Sequence, residues 1–162
     1  MPREPADVVA RLLDLGLTVA TGESLTAGLV AATLADVPGA SAVLQGGVVA
    51  YQADVKADLL DVPAEALAHG VVSREVAEAM AAGAARRLGA DVGIGTTGVA
   101  GPDPHDGEPV GSVWIAVATP EGTISRHLVV EGDRAGIRRQ TVEACWTLVL
   151  EALGAPAPAG GE

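Results

Sequence analysis

The sequence predicts an α/β domain of three layers, with helices on both faces of a mostly parallel or mixed central sheet. Three observations lead to this prediction. Short apolar segments alternate with helical patterns along the chain, as is typical of α/β folds. Glycine, proline and small polar residues separate the segments. Hydrophobic residues make up 49% and charged residues 19% of the 162 residues, so the chain can bury a core, and we assign one domain to residues 1–153.

The amino-terminal half predicts helices and strands in alternation. Their order is a helix over residues 7–15, a strand over 17–20, a helix over 25–34, a strand over 45–51 and a short helix that ends near residue 62. Gly16 ends the first helix, because glycine is favoured just beyond a helix terminus.

The carboxy-terminal half continues this pattern and adds a hairpin. Ser73 is a good N-cap for a helix that ends at Leu88, just before Gly89. The remaining elements are a strand over residues 91–97, a loop over 98–111, hairpin strands over 113–119 and 123–130, and a helix over 135–153. Residues 154–162 are rich in Ala, Pro and Gly, which predicts a disordered tail.

The charge balance argues against nucleic acid as a partner. The formal net charge is −11, whereas nucleic-acid-binding surfaces carry a basic patch. No segment has the length of a membrane span, and the amino terminus shows no basic-then-apolar signal. We therefore expect a soluble, cytoplasmic protein with no membrane partner. The single Cys145 lies in an apolar stretch and is expected to be a small buried hydrophobe.

Lys56 is the only lysine of the chain, and Tyr51 is the only tyrosine. Arginine stays protonated at ordinary pH, whereas a buried lysine can lose its proton and act as a base. If Tyr51 ends a central strand and Lys56 lies on the next helix, both face the carboxyl edge of the sheet, where ligands usually bind. The alternative is a solvated lysine and a tyrosine that fills a gap, and the spacing alone does not separate the two.

Residues 21–28, Thr-Gly-Glu-Ser-Leu-Thr-Ala-Gly, form a strand-to-helix turn that favours an anion or an oxyanion. Small residues admit a ligand close to the backbone, and free N–H groups at a helix start attract negative charge. Ser24 is expected at the helix cap, and Lys56 can take its proton if burial lowers the lysine pKa. The alternative is that Ser24 only caps the helix.

Residues 96–102, Thr-Thr-Gly-Val-Ala-Gly-Pro, end a strand in hydroxyl groups and glycines, which suits recognition of a phosphate or an amide by backbone N–H groups. The loop extends to Gly111, and structureless loops of this length are uncommon in compact domains. Four side chains in it could ligate a metal, namely Asp103, His105, Asp106 and Glu108. Their spacing matches no known ligand pattern, so we favour a loop without a metal.

Three arginines begin the last helix and could clamp a carboxylate or a phosphate. They are Arg134, Arg138 and Arg139. Acidic side chains are close to them in sequence, at Asp133 and Glu143. We therefore favour a structural or subunit-contact role for the arginines.

Taken together, these segments resemble the CinA C-terminal domain family, which includes stand-alone nicotinamide-nucleotide amidases of the PncC type. The matching segments are residues 22–28, 46–51 (Gly-Gly-Val-Val-Ala-Tyr), Lys56, 70–73 (Gly-Val-Val-Ser), 97–102, 109–111 (Pro-Val-Gly) and 132–134 (Gly-Asp-Arg). They span nearly the whole ordered chain, and several motifs in order are more specific than any single one.

The resemblance implies a three-layer α/β/α fold and hydrolysis of the carboxamide of nicotinamide mononucleotide to nicotinate mononucleotide and ammonia. The substrate is then a small anionic nucleotide, and neither a metal nor an organic cofactor is implied. The family's catalytic residues correspond to Ser24, Lys56 and Tyr51, with Tyr51 orienting Lys56 or relaying a proton. The expected substrate-binding residues are Gly22, Glu23, Thr26, Ala27, Gly28, Gly46, Gly47, Thr97, Gly98, Ala100, Gly101 and Pro102. We also expect a homo-oligomer, since symmetric assembly is common.

Two residues depart from the family pattern, which usually reads Glu-Ser-Cys-Thr-Gly-Gly at the serine turn. Leu25 replaces the cysteine and Ala27 replaces a glycine, whose loss could narrow the pocket. These changes motivate a second hypothesis, a catalytically silent nucleotide-binding or competence-associated interaction module. A third is an amidase or esterase for another small substrate, because the sequence does not reveal which ring or sugar the pocket fits.

Overall fold

The computed structural model describes residues 2–156, which fold around one five-stranded mixed sheet. The strands are β1 Val19–Glu23, β2 Leu44–Val49, β3 Val92–Gly98, β4 Ser112–Thr119 and β5 Gly122–Val129. They lie in the order β2-β1-β3-β4-β5. β1 is parallel to β2 and β3, whereas β4 is antiparallel to β3 and β5. The predicted α/β class with a mixed sheet is confirmed.

Helices cover both faces of the sheet and complete the predicted three layers. They are α1 Pro5–Leu15, α2 Leu29–Ala35, α3 Ala53–Leu60, α4 Ala64–Leu67, α5 Arg74–Leu88 and α6 Arg134–Ala152, with a 3₁₀ turn at Ala40–Ala42. α1, α2 and α6 pack on one face, and α3, α4 and α5 pack on the other. Within residues 2–156, no helix is both long enough and apolar enough to cross a membrane.

The serine turn differs from its prediction in where the strand ends and where the helix begins. The strand predicted over residues 17–20 runs from Val19 to Glu23, and the helix predicted from residue 25 begins at Leu29. All of β1 is buried between two parallel neighbours, so its residues show no polar alternation that would mark its end. Ala27 and Gly28 adopt left-handed backbone conformations, with φ of 48° and 94°, which prevents an earlier helix start.

α5 follows its prediction and lies unusually close to the sheet. The Ser73 hydroxyl accepts a hydrogen bond from the Val76 N–H, which confirms the predicted N-cap. A Cβ atom on Gly93 of β3 would lie 1.8 Å from the Ala81 carbonyl oxygen, so only glycine permits this approach. The small-residue face of α5 is therefore covered by the sheet of the same chain. α4 was not predicted.

The beginning of the predicted tail contacts the end of α6. The Ala155 N–H donates to the Leu150 carbonyl at 2.9 Å, and Ala155 packs against the core. Disorder of the 154–162 tail stays a prediction. Residues 157–162, the rest of the predicted tail, lie outside the described residues.

The carboxyl ends of the three parallel strands meet at one edge of the sheet. Ser24 directly follows β1, Ala50 and Tyr51 follow β2, and the 98–111 loop follows β3. The connection from β1 to β2 carries α2 on one face, and the connection from β2 to β3 carries α3 to α5 on the other. A change of face at this edge creates the crevice in which open α/β sheets bind ligands.

Candidate active site

Ser24 and Lys56 form a buried pair at the carboxyl edge of the sheet. The Ser24 Oγ and Lys56 Nζ atoms are 2.9 Å apart. β1 carries Ser24 to this edge, and α3 turns Lys56 inward, so that Lys56 is 0% exposed and Ser24 is 7% exposed. The alternative of a solvated lysine on an exposed helix face is therefore wrong. We call these two residues the floor of the site.

Two backbone carbonyls orient the amine of Lys56 toward Ser24. Nζ donates to the Ala50 oxygen at 2.8 Å and to the Tyr51 oxygen at 2.9 Å. An ammonium has a third N–H for Ser24, whereas a neutral amine keeps its two N–H groups on the carbonyls. Its lone pair then faces the Ser24 hydroxyl, which is the arrangement a general base requires.

Burial lowers the pKa of Lys56 from 10.5 to about 8. The cause is desolvation, because an ammonium removed from water loses hydration that neutral carbonyl dipoles replace only in part. Within residues 2–156, no carboxylate forms an ion pair with Lys56 that would raise its pKa again. A substantial fraction of the amine is therefore neutral near pH 8.

An open cleft of about 290 Å³ leads from solvent to Ser24. We call it the Ser24 cleft; it is lined by Ser24, Leu25, Tyr51, Val71, Thr97, Gly98, Val99, Ala100, Gly101, Pro102, Asp103, Pro104, His105 and Arg134. Five of the predicted substrate-binding residues line it, namely Thr97, Gly98, Ala100, Gly101 and Pro102. The 98–111 loop forms one wall, and the first turn of α6 contributes Arg134. We call Tyr51, Arg134 and the 98–111 loop the rim of the site.

The turn after Ser24 leaves two backbone donors free. In the described part of the chain, the N–H groups of Leu25 and Thr26 donate to no acceptor, whereas the Ser24 N–H donates to the Thr96 oxygen. The Arg138 guanidinium holds the turn from outside through the Leu25 and Thr26 carbonyls, at 2.8 and 3.0 Å. Ser24 is therefore not a helix cap, because the helix starts five residues later. Leu25 lines the cleft beside Ser24, and its N–H is one of the two free donors.

Glu23 has a structural role that differs from its prediction. Its carboxylate is 1% exposed and accepts the N–H groups of Val30 and Ala31 at 2.8 and 3.1 Å, together with the Thr21 hydroxyl. A carboxylate at these N–H groups satisfies donors that the helix cannot pair itself and complements the positive end of α2. Glu23 therefore closes the serine turn, and its substrate-binding assignment is corrected.

Three glycines predicted to bind substrate lie within strands β1 and β2. A Cβ atom on Gly22 would lie 2.8 Å from the Met80 oxygen of α5, and one on Gly47 would lie 2.4 Å from the Thr21 hydroxyl oxygen. Gly46 packs toward α5 in the middle of β2. None of the three lines the Ser24 cleft. Close packing explains Gly22 and Gly47, whereas a Cβ atom on Gly46 would meet Leu88 at an ordinary contact distance of 3.5 Å.

The remaining residues of the serine turn also lie outside the cleft. The Thr26 hydroxyl shares a hydrogen bond of 2.8 Å with the buried Thr96 hydroxyl, which ties the turn to β3. Ala27 is exposed, next to Gly28. None of these three residues lines the Ser24 cleft, so the Ala27 methyl group does not narrow it, and their contact with substrate stays a prediction.

The two residues at the end of β3 differ in what their polar groups contact. The Thr97 hydroxyl donates to the Val71 carbonyl at 2.6 Å. Gly98 lies opposite Val113 of β4 as a non-hydrogen-bonded pair, because the next residue, Val99, donates its N–H to the Ser112 oxygen. A Cβ atom on Gly98 would lie 2.7 Å from a methyl group of Val113, so this residue is a glycine for lack of space. The Thr97 hydroxyl is therefore not a free donor, whereas binding of a phosphate by Gly98 stays a prediction.

Tyr51 and Arg134 join across the mouth of the cleft. The Arg134 guanidinium donates to the Tyr51 hydroxyl at 2.7 Å and also to the Gly101 carbonyl. Tyr51 contacts Lys56 through its backbone carbonyl, while its 45% exposed side chain points to Arg134. The sequence allows an anion clamp for Arg134, but its acidic neighbours Asp133 and Glu143 favour a structural role. Which edge of the sheet α6 reaches cannot be read from the chain.

The 98–111 loop contains a small hairpin at its acidic tip. His105 and Glu108 exchange backbone hydrogen bonds, and Asp106 and Gly107 between them have φ of 49° and 77°. The Asp106 carboxylate accepts the Val71 N–H, and Glu108 accepts the Ser112 hydroxyl. Within residues 2–156, no three His, Cys, Asp or Glu side chains converge as metal ligands would.

The fold and the site define an α/β protein with a buried serine–lysine pair below an open cleft. Residues 3–153 match the model of the CinA C-terminal domain, and the chain belongs to this family. It is 47% identical over 147 residues to a CinA-like protein of Frankia casuarinae and 52% identical over 151 residues to one of Anaeromyxobacter sp. strain K. These matches cover 90% and 92% of this chain but 34% and 37% of those proteins.

Solved structures of proteins of similar length share this fold and belong to the same superfamily. The competence/damage inducible protein CihA of Agrobacterium tumefaciens is 36% identical with a TM-score of 0.84, covering 95% of this chain and 98% of that one. The competence damage-inducible protein A of Klebsiella pneumoniae is 30% identical with a TM-score of 0.87, covering 93% and 98%. The chain thus spans about a third of the curated relatives that it matches and nearly all of these crystallised chains.

Proposed function

We propose that this protein hydrolyses the carboxamide of nicotinamide mononucleotide to nicotinate mononucleotide and ammonia through a serine–lysine mechanism. The substrate and the reaction are those that the family resemblance implies. The observation that supports the chemistry is the 2.9 Å contact between Ser24 Oγ and a fully buried Lys56 Nζ at the floor of an open cleft. A buried lysine with no ion pair is costly to the fold, so a chemical use explains its presence better than stability does.

In the first half of the reaction, Ser24 attacks the amide. Neutral Lys56 takes the hydroxyl proton while the Ser24 oxygen bonds to the amide carbon, and the carbonyl oxygen becomes an oxyanion. The free N–H of Leu25 lies next to the nucleophile and is the donor we assign to this oxyanion. One good donor of this kind typically lowers the barrier by ~3–4 kcal/mol. Arg138 adds a positive charge behind the same turn.

In the second half, ammonia leaves and water releases the acid. The Lys56 ammonium returns its proton to the amide nitrogen as the carbon–nitrogen bond breaks, which leaves an acyl-serine. Lys56 then takes a proton from water, the hydroxide bonds to the acyl carbon, and the proton passes to the Ser24 oxygen as the ester breaks. The balance is one amide and one water consumed, with one carboxylic acid and one ammonia formed.

The test is ammonia release from nicotinamide mononucleotide by the purified protein and by two Lys56 variants. Lys56→Arg keeps the charge but cannot act as a base, and Lys56→Met removes both charge and base at a similar side-chain length. We expect release by the wild type and a loss of about 10²–10⁴-fold in both variants. Full activity in either folded variant would rule out the serine–lysine scheme.

Two outcomes of the same experiment would point to the other hypotheses. Nucleotide binding without ammonia release would favour a silent binding module. Release from a different amide, but not from the nucleotide, would favour an amidase of another substrate class. Of the two departures that motivated the silent module, Ala27 is exposed and does not line the cleft, whereas Leu25 packs into the core and also lines the cleft beside Ser24.

A further inference from the structure

We propose that Arg134 is the anion-binding residue of the Ser24 cleft, where it holds the phosphate of the substrate and makes the protein select nucleotides over nucleosides. The proposal deepens the amidase function and rests on it. It adds a charged contact to the predicted phosphate-binding end of β3, where the Thr97 hydroxyl already donates to the Val71 carbonyl.

The charge balance requires a specific cation in this cleft. The chain carries a formal net charge of −11, and Asp103 adds a carboxylate to the cleft lining. Of the described residues that line the cleft, Arg134 is the one with a permanent positive charge, and His105 is the one other group that can become cationic. A phosphate must overcome the general repulsion through a local contact, and Arg134 is the group that can provide it.

The geometry holds the Arg134 guanidinium in place and leaves donors for a ligand. One terminal nitrogen donates to the Tyr51 hydroxyl and the other donates to the Gly101 carbonyl. A guanidinium has five N–H groups, so these two contacts leave three. Anchoring from two sides lowers the conformational entropy that the side chain loses when it binds an anion. Arg134 is exposed to solvent, so the free donors are accessible.

The other arginine near the floor is committed elsewhere. Both Arg138 contacts are with carbonyls of the serine turn, and Arg138 does not line the cleft. Arg138 is therefore not available to bind the phosphate together with Arg134.

Tyr51 sets the distance between the anion and the reacting amide. Its backbone carbonyl accepts from Lys56 at the floor, and its hydroxyl accepts from Arg134 at the rim. The length of one tyrosine side chain thus separates the catalytic amine from the guanidinium. A nucleotide needs such a separation, because its ribose lies between the amide-bearing ring and the phosphate.

The experiment compares nicotinamide mononucleotide with nicotinamide riboside, which lacks only the phosphate. kcat/KM is measured for both compounds in the wild type, Arg134→Gln, Arg134→Lys and Arg139→Gln. Arg139 is an exposed arginine of the same helix that does not line the cleft, so its variant removes the same charge as a matched control. Circular dichroism and urea unfolding verify that each variant folds.

We expect Arg134→Gln to lose about 10- to 100-fold on the nucleotide and less than about twofold on the riboside, because a hydrogen bond to a charged group is lost from one substrate only. Arg134→Lys should recover part of this loss, and Arg139→Gln should resemble the wild type. Equal losses on both compounds would mean that Arg134 only supports the loop and would overturn the proposal. Unchanged activity on the nucleotide would overturn it as well.

The experiment also distinguishes failure of the proposed amidase function from failure of the Arg134 proposal. If the wild type releases no ammonia from either compound, calorimetric binding of the same two compounds to the same variants decides the question. The proposal then requires Arg134→Gln to bind the nucleotide more weakly than Arg139→Gln does, by a similar factor. A wild type that binds neither compound, or an Arg134→Gln that binds the nucleotide as the wild type does, would overturn it.

Discussion

The floor and the rim of the Ser24 cleft use the same kinds of polar groups under opposite conditions. At the floor, Ser24 and Lys56 are buried, and removal of water changes how strongly Lys56 holds its proton. At the rim, Tyr51 and Arg134 are exposed, so their charges and dipoles are screened by solvent. The floor is therefore suited to proton transfer and the rim to recognition. Substitutions at the floor should lower mainly kcat, and substitutions at the rim should raise mainly KM.

The largest effect is expected at the floor. Ser24→Ala removes the proposed nucleophile and should lower kcat by about 10²–10⁴-fold, as should Lys56→Met, because the two groups act as one unit. The double variant should therefore lose little beyond either single variant. Steady-state ammonia release measures all three. Losses that multiply in the double variant would show that the two residues act independently.

The next effect is the pH dependence that the floor imposes on the rate. With burial holding the pKa of Lys56 at about 8, the neutral fraction rises through pH 8 and then levels off. We expect kcat/KM to increase by about 30-fold between pH 6.5 and 9. The same profile with nicotinamide riboside controls for titration of the substrate phosphate. A rate that is flat, or that falls with pH, would contradict a lysine base.

The same burial should appear in the stability of the fold. The pKa of Lys56 is lowered in the folded state, so the unfolded chain binds more protons between pH 8 and 10.5, and stability rises with pH in that window. The gain between pH 7 and 9.5 should be about 2 kcal/mol in the free energy of unfolding.

Comparison with Lys56→Met isolates this contribution. Burial raises the pKa of the Cys145 thiol, so Cys145 stays protonated in the fold and acts in the opposite direction once the unfolded thiol ionises. Both proteins contain Cys145, so the difference between their urea-unfolding curves reports Lys56 alone. An equal pH slope in the two proteins would mean that Lys56 is hydrated in solution.

At the rim, Tyr51→Phe should have a moderate effect. The variant keeps the backbone carbonyl that accepts from Lys56 and loses only the hydroxyl that accepts from Arg134. We expect less than about a tenfold loss, mainly in KM for the nucleotide, since one exposed hydrogen bond contributes modestly. The resemblance implied that Tyr51 orients Lys56 or relays a proton. A loss of about 100-fold in kcat on both nucleotide and riboside would favour that relay.

The floor could be predicted from the sequence, whereas most of the rim could not. A lone lysine among ten basic side chains and a serine at a strand end are local signals, and both residues follow strands whose carboxyl ends must meet. Arg134 lies 110 residues after Ser24 in the chain, and only the packing of α6 brings it to the cleft. For the glycines at 22 and 47 the sequence cannot separate close packing from ligand approach, because both place the same demand on the backbone.

Ala27 tests the boundary of the site, because it belongs to the serine turn but to neither floor nor rim. Its φ of 48° is a left-handed conformation that costs an alanine roughly 1–2 kcal/mol relative to glycine, partly offset by the greater freedom of glycine in the unfolded chain. Ala27→Gly should therefore raise the free energy of unfolding by up to about 1 kcal/mol and leave ammonia release unchanged. Ala32→Gly, in the right-handed interior of α2, is the matched control and should destabilise by about as much. A faster Ala27→Gly enzyme would show that the methyl group does reach the substrate, and the cleft would then have to extend around the outer side of the turn.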